Sequence, residues 1–190
     1  MNSRLTAFEL RIGAATDIDT LCEIDVDASE LCVRAGLDVG FSTEHEFALA
    51  ERTRWLCSLS LGGTLLAVGA RGSVLGFAAS GVRDLEPYLD QLSVRRSSMR
   101  SGVGSALLSA TENKARVSGA HSLWLTTYGH LAWNRPFYES RGFVVVPESQ
   151  LGREMRAELE YERHWLPAPE QRVVMRKGLR VWNCTRSASC

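Results

Sequence analysis

Neither sign of charge prevails in this chain: 22 lysines and arginines balance 22 aspartates and glutamates over 190 residues. With no global field, nothing draws the molecule toward nucleic acid or an anionic membrane, and any polyanion it holds must be gripped locally. Long apolar runs are missing as well. The longest, residues 56–70, is broken by Ser58, Ser60, Gly62, Gly63 and Thr64 and falls short of a membrane span. The first residues carry Arg4, Glu9 and Arg11 among apolar neighbours, which is not the core of a secretory signal, so the expected location is cytoplasmic. Cys22, Cys32, Cys57, Cys184 and Cys190 are an odd set without metal-ligand spacing, which argues against disulfides and zinc and for thiols in a reducing compartment. Internal repeats and low-complexity linkers are absent too. What remains is 45% hydrophobic and 23% charged, the mixture of an ordinary globular chain long enough for one domain with its own core.

Residues 8–12 alternate like a short strand, and Thr16, Asp17 and Asp19 supply capping side chains for a helix running toward Ala35, which Gly36 ends. Ser42 and Glu44 predict the start of a second helix with Phe47, Ala50, Arg54 and Cys57 on one face, closed by Gly62 and Gly63. Residues 64–70 and 74–81 are β-rich runs around Arg71, Gly72 and Ser73, the pattern of a hairpin, and residues 88–94 extend the meander. After the serine and arginine cluster of 95–101, Val103, Ala106, Leu107, Ala110 and Val117 mark a helix that Gly119 stops. A strand over 122–127, a short helix over 133–141, an apolar strand over 143–146, a charged helix over 151–165 and a strand over 172–177 follow. This is an α+β order, about seven strands in a mixed, mostly antiparallel central sheet flanked by helices. One domain is expected over 1–178, with 179–190 as a C-terminal tail.

The chemical centre is the run Met99, Arg100, Ser101, Gly102, Val103 and Gly104, between a strand and the start of a helix. Glycines let the backbone approach a bulky anion, and the free N–H groups of the first helical turn point outward with the positive end of the helix dipole behind them. Arg95, Arg96 and Arg100 add local positive charge. Read alone, Gly102 and Gly104 equally suit a plain strand-to-helix turn. No Gly-Lys-Ser/Thr follows for a nucleoside-triphosphate loop, and Leu107 occupies the third glycine position of a dinucleotide fingerprint.

Further along stand Asn134, Arg135, Pro136, Phe137, Tyr138, Glu139, Ser140, Arg141, Gly142 and Phe143. Together with Leu89-Asp-Gln-Leu-Ser-Val94 and the run from Arg100 to Leu108, they resemble the GNAT superfamily of N-acetyltransferases over about residues 65–146. The resemblance implies the acyl-CoA N-acyltransferase fold, acetyl coenzyme A as cosubstrate without a metal, and transfer to a primary amine by direct attack in a ternary complex. It places coenzyme A contacts at Leu92, Ser93, Val94, Met99, Arg100, Ser101, Gly102, Val103, Gly104, Ser105, Asn134 and Tyr138, with the pantetheine lying between splayed strands like an added one.

Tyr138 matches the tyrosine that many family members use to protonate the departing thiolate, a role open to a phenol that is protonated at neutral pH. Its other reading is an aromatic packing residue beside Phe137 and Phe143. Asp90 is the expected proton acceptor for the amine, with Glu86, Tyr128 and His130 as substitutes; an aspartate there also suits a solvated strand edge. The chain departs from the family pattern at Met99, where glutamine or arginine is usual, and at Arg96, where proline is frequent; Arg100 offers compensation. Trp55, Asp84, Glu86, Tyr88, Thr127 and Tyr128 are candidates for the acceptor site, an aromatic and acidic set that suits a small cationic amine. A protein lysine or N-terminal acceptor, a non-catalytic acyl-CoA sensor and a homodimer are alternatives the sequence leaves open.

Overall fold

The architecture is that of a computed structural model, in which residues 8–179 are described. Seven strands form one sheet: β1 (Phe8–Ile12), β2 (Leu65–Gly69), β3 (Val74–Arg83), β4 (Glu86–Val94), β5 (Ser122–Tyr128), β6 (Val144–Val145) and β7 (Arg172–Gly178). Their order is β1-β2-β3-β4-β5-β7-β6, and every neighbouring pair is antiparallel except β4 with β5. The helices are α1 (Ile18–Arg34), α2 (Glu46–Ser60), α3 (Val103–Val117), α4 (Arg135–Glu139) and α5 (Arg153–Trp165). A parallel pair needs a crossover, and α3 supplies it.

Alternation along the strands divides the interior in two. Leu123 and Leu125 of β5 join Leu89, Met175, Phe143 and the α3 residues Val103, Leu107 and Leu108 on one face. On the other, α1 and α2 bury Leu21, Ile24, Trp55 and Leu59 against Leu66, Val68 and Phe77, while α5 buries Met155 and Leu159 against Tyr88, Trp124 and Val174.

Several expectations shift in detail. The second helix begins at Glu46, with His45 rather than Ser42 at its cap, where the His45 Nδ1 accepts the Phe47 N–H at 3.2 Å. Its buried side is Phe47, Trp55, Ser58 and Leu59, and Cys57 is exposed. Trp55 and Leu59 remove more apolar area from water than Ala50 and Cys57 could, so they set the rotation. Val117, counted on the α3 stripe, is 82% exposed in the helix's last turn. The expected strand over 143–146 shrinks to Val144 and Val145 at the outer edge of the sheet, because Phe143 and Val146 turn into opposite cores. Leu179, expected to be the first residue of the tail, is buried and donates its N–H to the His121 carbonyl at 2.7 Å, while the rest of the expected tail, 180–190 with Cys184 and Cys190, lies outside the described residues.

The β3–β4 turn also organises α5. Asp84, expected at the acceptor site, instead caps that helix, its carboxylate accepting the N–H groups of Glu154 at 2.9 Å and Met155 at 3.0 Å. Its approach is so close that a Cβ on Gly152 would lie 2.2 Å from Asp84 Oδ2, which only glycine avoids.

Candidate functional site

The site starts from a fault in the sheet. Ala79 of β3 faces Gln91 and Ser80 faces Leu89, so Asp90 is an extra residue on β4, a bulge that bends the strand. Just there the partnership of β4 with β5 ends. The two pair only at Tyr88 with Trp124 and Leu89 with Leu125, and beyond that β4 to Val94 and β5 to Tyr128 diverge. The backbone edges facing the wedge are left without a strand partner, a state that a buried sheet interior does not tolerate unless something polar fills the gap.

At the end of β4 the wedge meets the glycine turn. Arg100 has φ +60° and Gly102 φ +90°, after which α3 begins. Gly102 is needed there for its backbone angle, since a Cβ would meet no atom within 4 Å yet an L side chain rarely adopts that φ. The first bond into the helix is Ala106 N–H to the Gly102 carbonyl at 3.0 Å. Among the described residues no acceptor faces the N–H groups of Arg100 to Ser105, which converge at the positive end of a 15-residue helix. The Ser101 hydroxyl is occupied internally, on the Ser98 carbonyl at 2.5 Å. Val103 is buried in the core and acts through its backbone alone.

The positive charge expected at this turn is distributed differently. Arg95 bonds the Val74 carbonyl at 2.9 Å and reaches Glu23, while Arg96 bonds Asp27 through both Nε, at 3.0 Å, and its backbone N–H, at 2.7 Å, and reaches Glu30. Both arginines therefore fasten α1 to the end of β4 and are not free for a ligand. Arg100 remains exposed, and Met99 brings no charge. A cation that sequence reasoning passed over arrives instead from the end of α4: Arg141 hydrogen-bonds the Ser105 hydroxyl through Nη2.

Asn134 stands at the N-cap of α4, its N–H on the Leu131 carbonyl at 3.1 Å. One turn later Tyr138 packs edge-on to Phe137 and Phe143, with ring centroids 5.1 and 5.6 Å away, so the packing reading holds for its ring. Its hydroxyl has no hydrogen-bond partner among the described residues. Burial pushes the phenol far above its ordinary value, with Arg172 and Arg141 pulling weakly the other way. Tyr138 is thus protonated at neutral pH.

On β4 itself the bulge sends Asp90 and Gln91 to the same side, under α1, α2 and α5. Asp90 pairs with Arg83 at 3.0 Å, Arg83 with Glu158 at 2.9 Å, and Glu158 with Arg54. Burial raises the Asp90 carboxyl to about 6 against the pull of Arg83 and Arg54. Ahead of it, Gln91 Nε2 and Ser93 Oγ both donate to Asp25 Oδ1 of α1, at 2.5 and 2.8 Å, and Oδ2 has no hydrogen-bond partner among the described residues. Burial raises Asp25 as well, against those two hydrogen bonds. The Cys32 thiol is pushed up by burial and by Asp25 and pulled down by Arg172. Asp25 lies on a helix 65 positions before β4 begins to splay, and nothing local in the sequence marks it.

Most of the expected acceptor residues take structural roles. Trp55 is core, edge-on to Phe77 at 5.3 Å. Tyr88 is buried beneath α5 with its hydroxyl on Thr126 at 2.8 Å, and Thr127 is buried beside Val173 on the α3 face. Glu86 sits at the far end of β4, lining a shallow cavity of about 300 Å³ with Val82, Leu85, Ser118 and His121, away from the glycine turn. Tyr128 alone reaches the open end of the wedge, packed with Leu37 and Leu131, although its hydroxyl is held by the Pro167 carbonyl at 2.8 Å. His130 stacks edge-on to it at 5.7 Å.

A model of the Acetyltransferase (GNAT) family matches residues 28–143, more than half of the chain and both halves of the wedge. Among solved structures, a GNAT-family acetyltransferase from Staphylococcus aureus superposes with a TM-score of 0.67 at 14% identity, over 92% of this chain and 100% of that one. The PaiA N-acetyltransferase from Thermoplasma acidophilum, in complex with coenzyme A, gives 0.64 at 18% identity over 90% of this chain and 99% of that one. N-acetylglutamate synthase from Neisseria gonorrhoeae, complexed with coenzyme A and N-acetyl-glutamate, gives 0.66 at 16% identity over 92% of this chain, which spans only 35% of that longer protein. At these identities the superpositions establish a shared fold.

Proposed function

This chain belongs to the acetyltransferase (GNAT) family, and from that premise we propose that it moves an acetyl group from acetyl coenzyme A to the primary amine of a small molecule. The observation that carries the reading is the wedge between β4 and β5, with unpaired strand edges along its sides and unpaired N–H donors from Arg100 to Ser105 at its end. Those donors suit a diphosphate, and the strand edges suit the amides of a pantetheine arm. Leu92, Ser93 and Val94 would meet that arm through their backbone, since the side chains of Leu92 and Val94 pack against the α3 core and that of Ser93 is bonded to Asp25.

In this reading the amine nitrogen attacks the thioester carbonyl and the carbon–sulfur bond breaks. Tyr138 gives its proton to the leaving sulfur, and the protonated state favoured by its burial keeps that proton available. Asp90 accepts the proton lost by the nitrogen, directly or through water. Asp25 supports a second assignment for that role, because its partners among the described residues are neutral whereas Asp90 is paired with the Arg83 cation. A small cationic acceptor is favoured by the carboxylate of Asp25, which has no cation partner among the described residues while Asp90, Glu158 and Glu162 are paired with Arg83, Arg54 and Arg172, and by Leu37 and Val39, which close the outer end against Tyr128. An open groove for a protein lysine or N-terminus would need that closure removed.

A thiol-release assay over a panel of amines tests the proposal. Tyr138→Phe should keep coenzyme A binding and lose about 10²-fold or more of turnover. Turnover equal to the parent removes Tyr138 as the acid, and a chain that binds coenzyme A yet releases no thiol with any amine, peptides included, is an acyl-CoA sensor instead.

A further inference from the structure

We infer that Arg141 is the side chain that holds the phosphates at the glycine turn, and that it couples their binding to the placement of Tyr138. The inference rests on the coenzyme A reading above and goes beyond it, because the loop's own cation, Arg100, is exposed and is not fixed by any contact among the described residues.

The turn's donors are backbone N–H groups, and a diphosphate carries more negative charge than amide dipoles balance well. The nearby cations are accounted for one by one. Arg95 and Arg96 are paired with Glu23, Asp27 and Glu30 of α1, Met99 is neutral, and Arg100 is exposed with no side-chain contact among the described residues to hold it toward the turn. Arg141 differs from both arginines in having only neutral partners among the described residues: the Ser105 hydroxyl through Nη2, and the Phe137 carbonyl at 3.0 Å and Ser140 hydroxyl at 2.9 Å through Nη1. Its guanidinium lies 3.7 Å over the Phe137 ring, and that ring stands 3.8 Å from where a Cβ on Gly104 would be. A planar cation held by stacking and three neutral acceptors, beside the unpaired first turn of α3, is preorganised for an anion and loses little side-chain freedom on meeting one.

The same residue is one turn from the acid. The Arg141 N–H bonds the Tyr138 carbonyl at 2.9 Å, and the Phe143 N–H bonds that carbonyl at 3.1 Å. An anion drawing on the guanidinium therefore steadies the end of α4 that fixes the Tyr138 backbone, so Arg141 acts on the chemistry as a positioning residue.

The test measures binding of coenzyme A by calorimetry at several salt concentrations for the parent, Arg141→Ala and Arg141→Gln, beside binding of acetylpantetheine, which lacks the nucleotide and its phosphates, by ligand-observed NMR. Arg141→Gln keeps neutral donors for Phe137 and Ser140, so it retains the local packing if the alanine variant unfolds. The expected result is coenzyme A affinity reduced tenfold or more in both variants with a shallower dependence on salt, and acetylpantetheine affinity unchanged. Coenzyme A affinity equal to the parent, or equal losses for both ligands, overturns the inference and leaves the acetyltransferase reading standing. A parent that takes up no coenzyme A at all removes both.

Discussion

Asp90 and Asp25 show how one residue's surroundings decide its chemistry. Each is a carboxylate on the same face of the sheet, and each is raised by burial, but Arg83 holds one oxygen of Asp90 while Asp25 accepts hydrogen bonds from a serine and an amide. A carboxyl that accepts a proton must first be ionised. With Asp90 raised to about 6, half of it is protonated at that pH, so turnover should climb with pH through about 6 and level off above it. Asp90→Asn should remove this limb and lower the plateau by about 10²-fold, read from the pH profile of kcat/KM. If the limb survives in that variant and disappears in Asp25→Asn, the proton goes to α1 instead. Neither reading was available at Asp25 from its place in the chain, because it is one acid among several on an amphipathic helix and gains its role only when Gln91 and Ser93 arrive.

Among the helices, α5 is tied to the sheet by its buried Met155 and Leu159 and also by two glutamates one turn apart. Glu158 meets Arg54 and Arg83, and Glu162 meets Arg172 at 2.6 Å, with Thr126 bridging Glu162 and Arg172. Arg172 is 8% exposed, so removing its partner would strand a buried charge. Glu162→Ala should therefore cost about 3–5 kcal/mol in denaturant unfolding, while the joint change Glu162→Leu with Arg172→Met should cost much less, because it removes both charges at once. A loss of under about 1 kcal/mol for the single change would mean that water reaches Arg172 freely. The same element takes up two of the residues expected at the acceptor site. Tyr88 and Asp84 look like site residues in the sequence, but α5 covers the first and takes the second as its cap. A charged helix in the string gives no sign of which face of the sheet it will occupy.

For the molecule as a whole, a ligand that binds only the folded chain stabilises it by mass action. Coenzyme A at a hundred times its dissociation constant should add about 2.7 kcal/mol, which for a chain of this length raises Tm by roughly 5–10 °C; a thermal scan showing no shift would count against the wedge as its site. Among the described residues no helix is long and apolar enough to cross a membrane. Much of this architecture is legible from residue order. The strand and helix succession, the glycine turn before α3 and the short helix carrying Tyr138 follow from alternation, capping and breakers, which act between residues close in the chain. The fate of the charges does not. Arg95 and Arg96 sit at the turn in sequence yet are neutralised by α1 acids about seventy positions earlier, whereas Arg141 reaches Ser105 from 36 positions later. Backbone conformation depends on neighbours along the chain, so the string fixes the cradle. Desolvation and ion pairing depend on whatever lies within about 4 Å in space, so folding chooses which cation faces the cradle and which carboxylate stays free to take a proton.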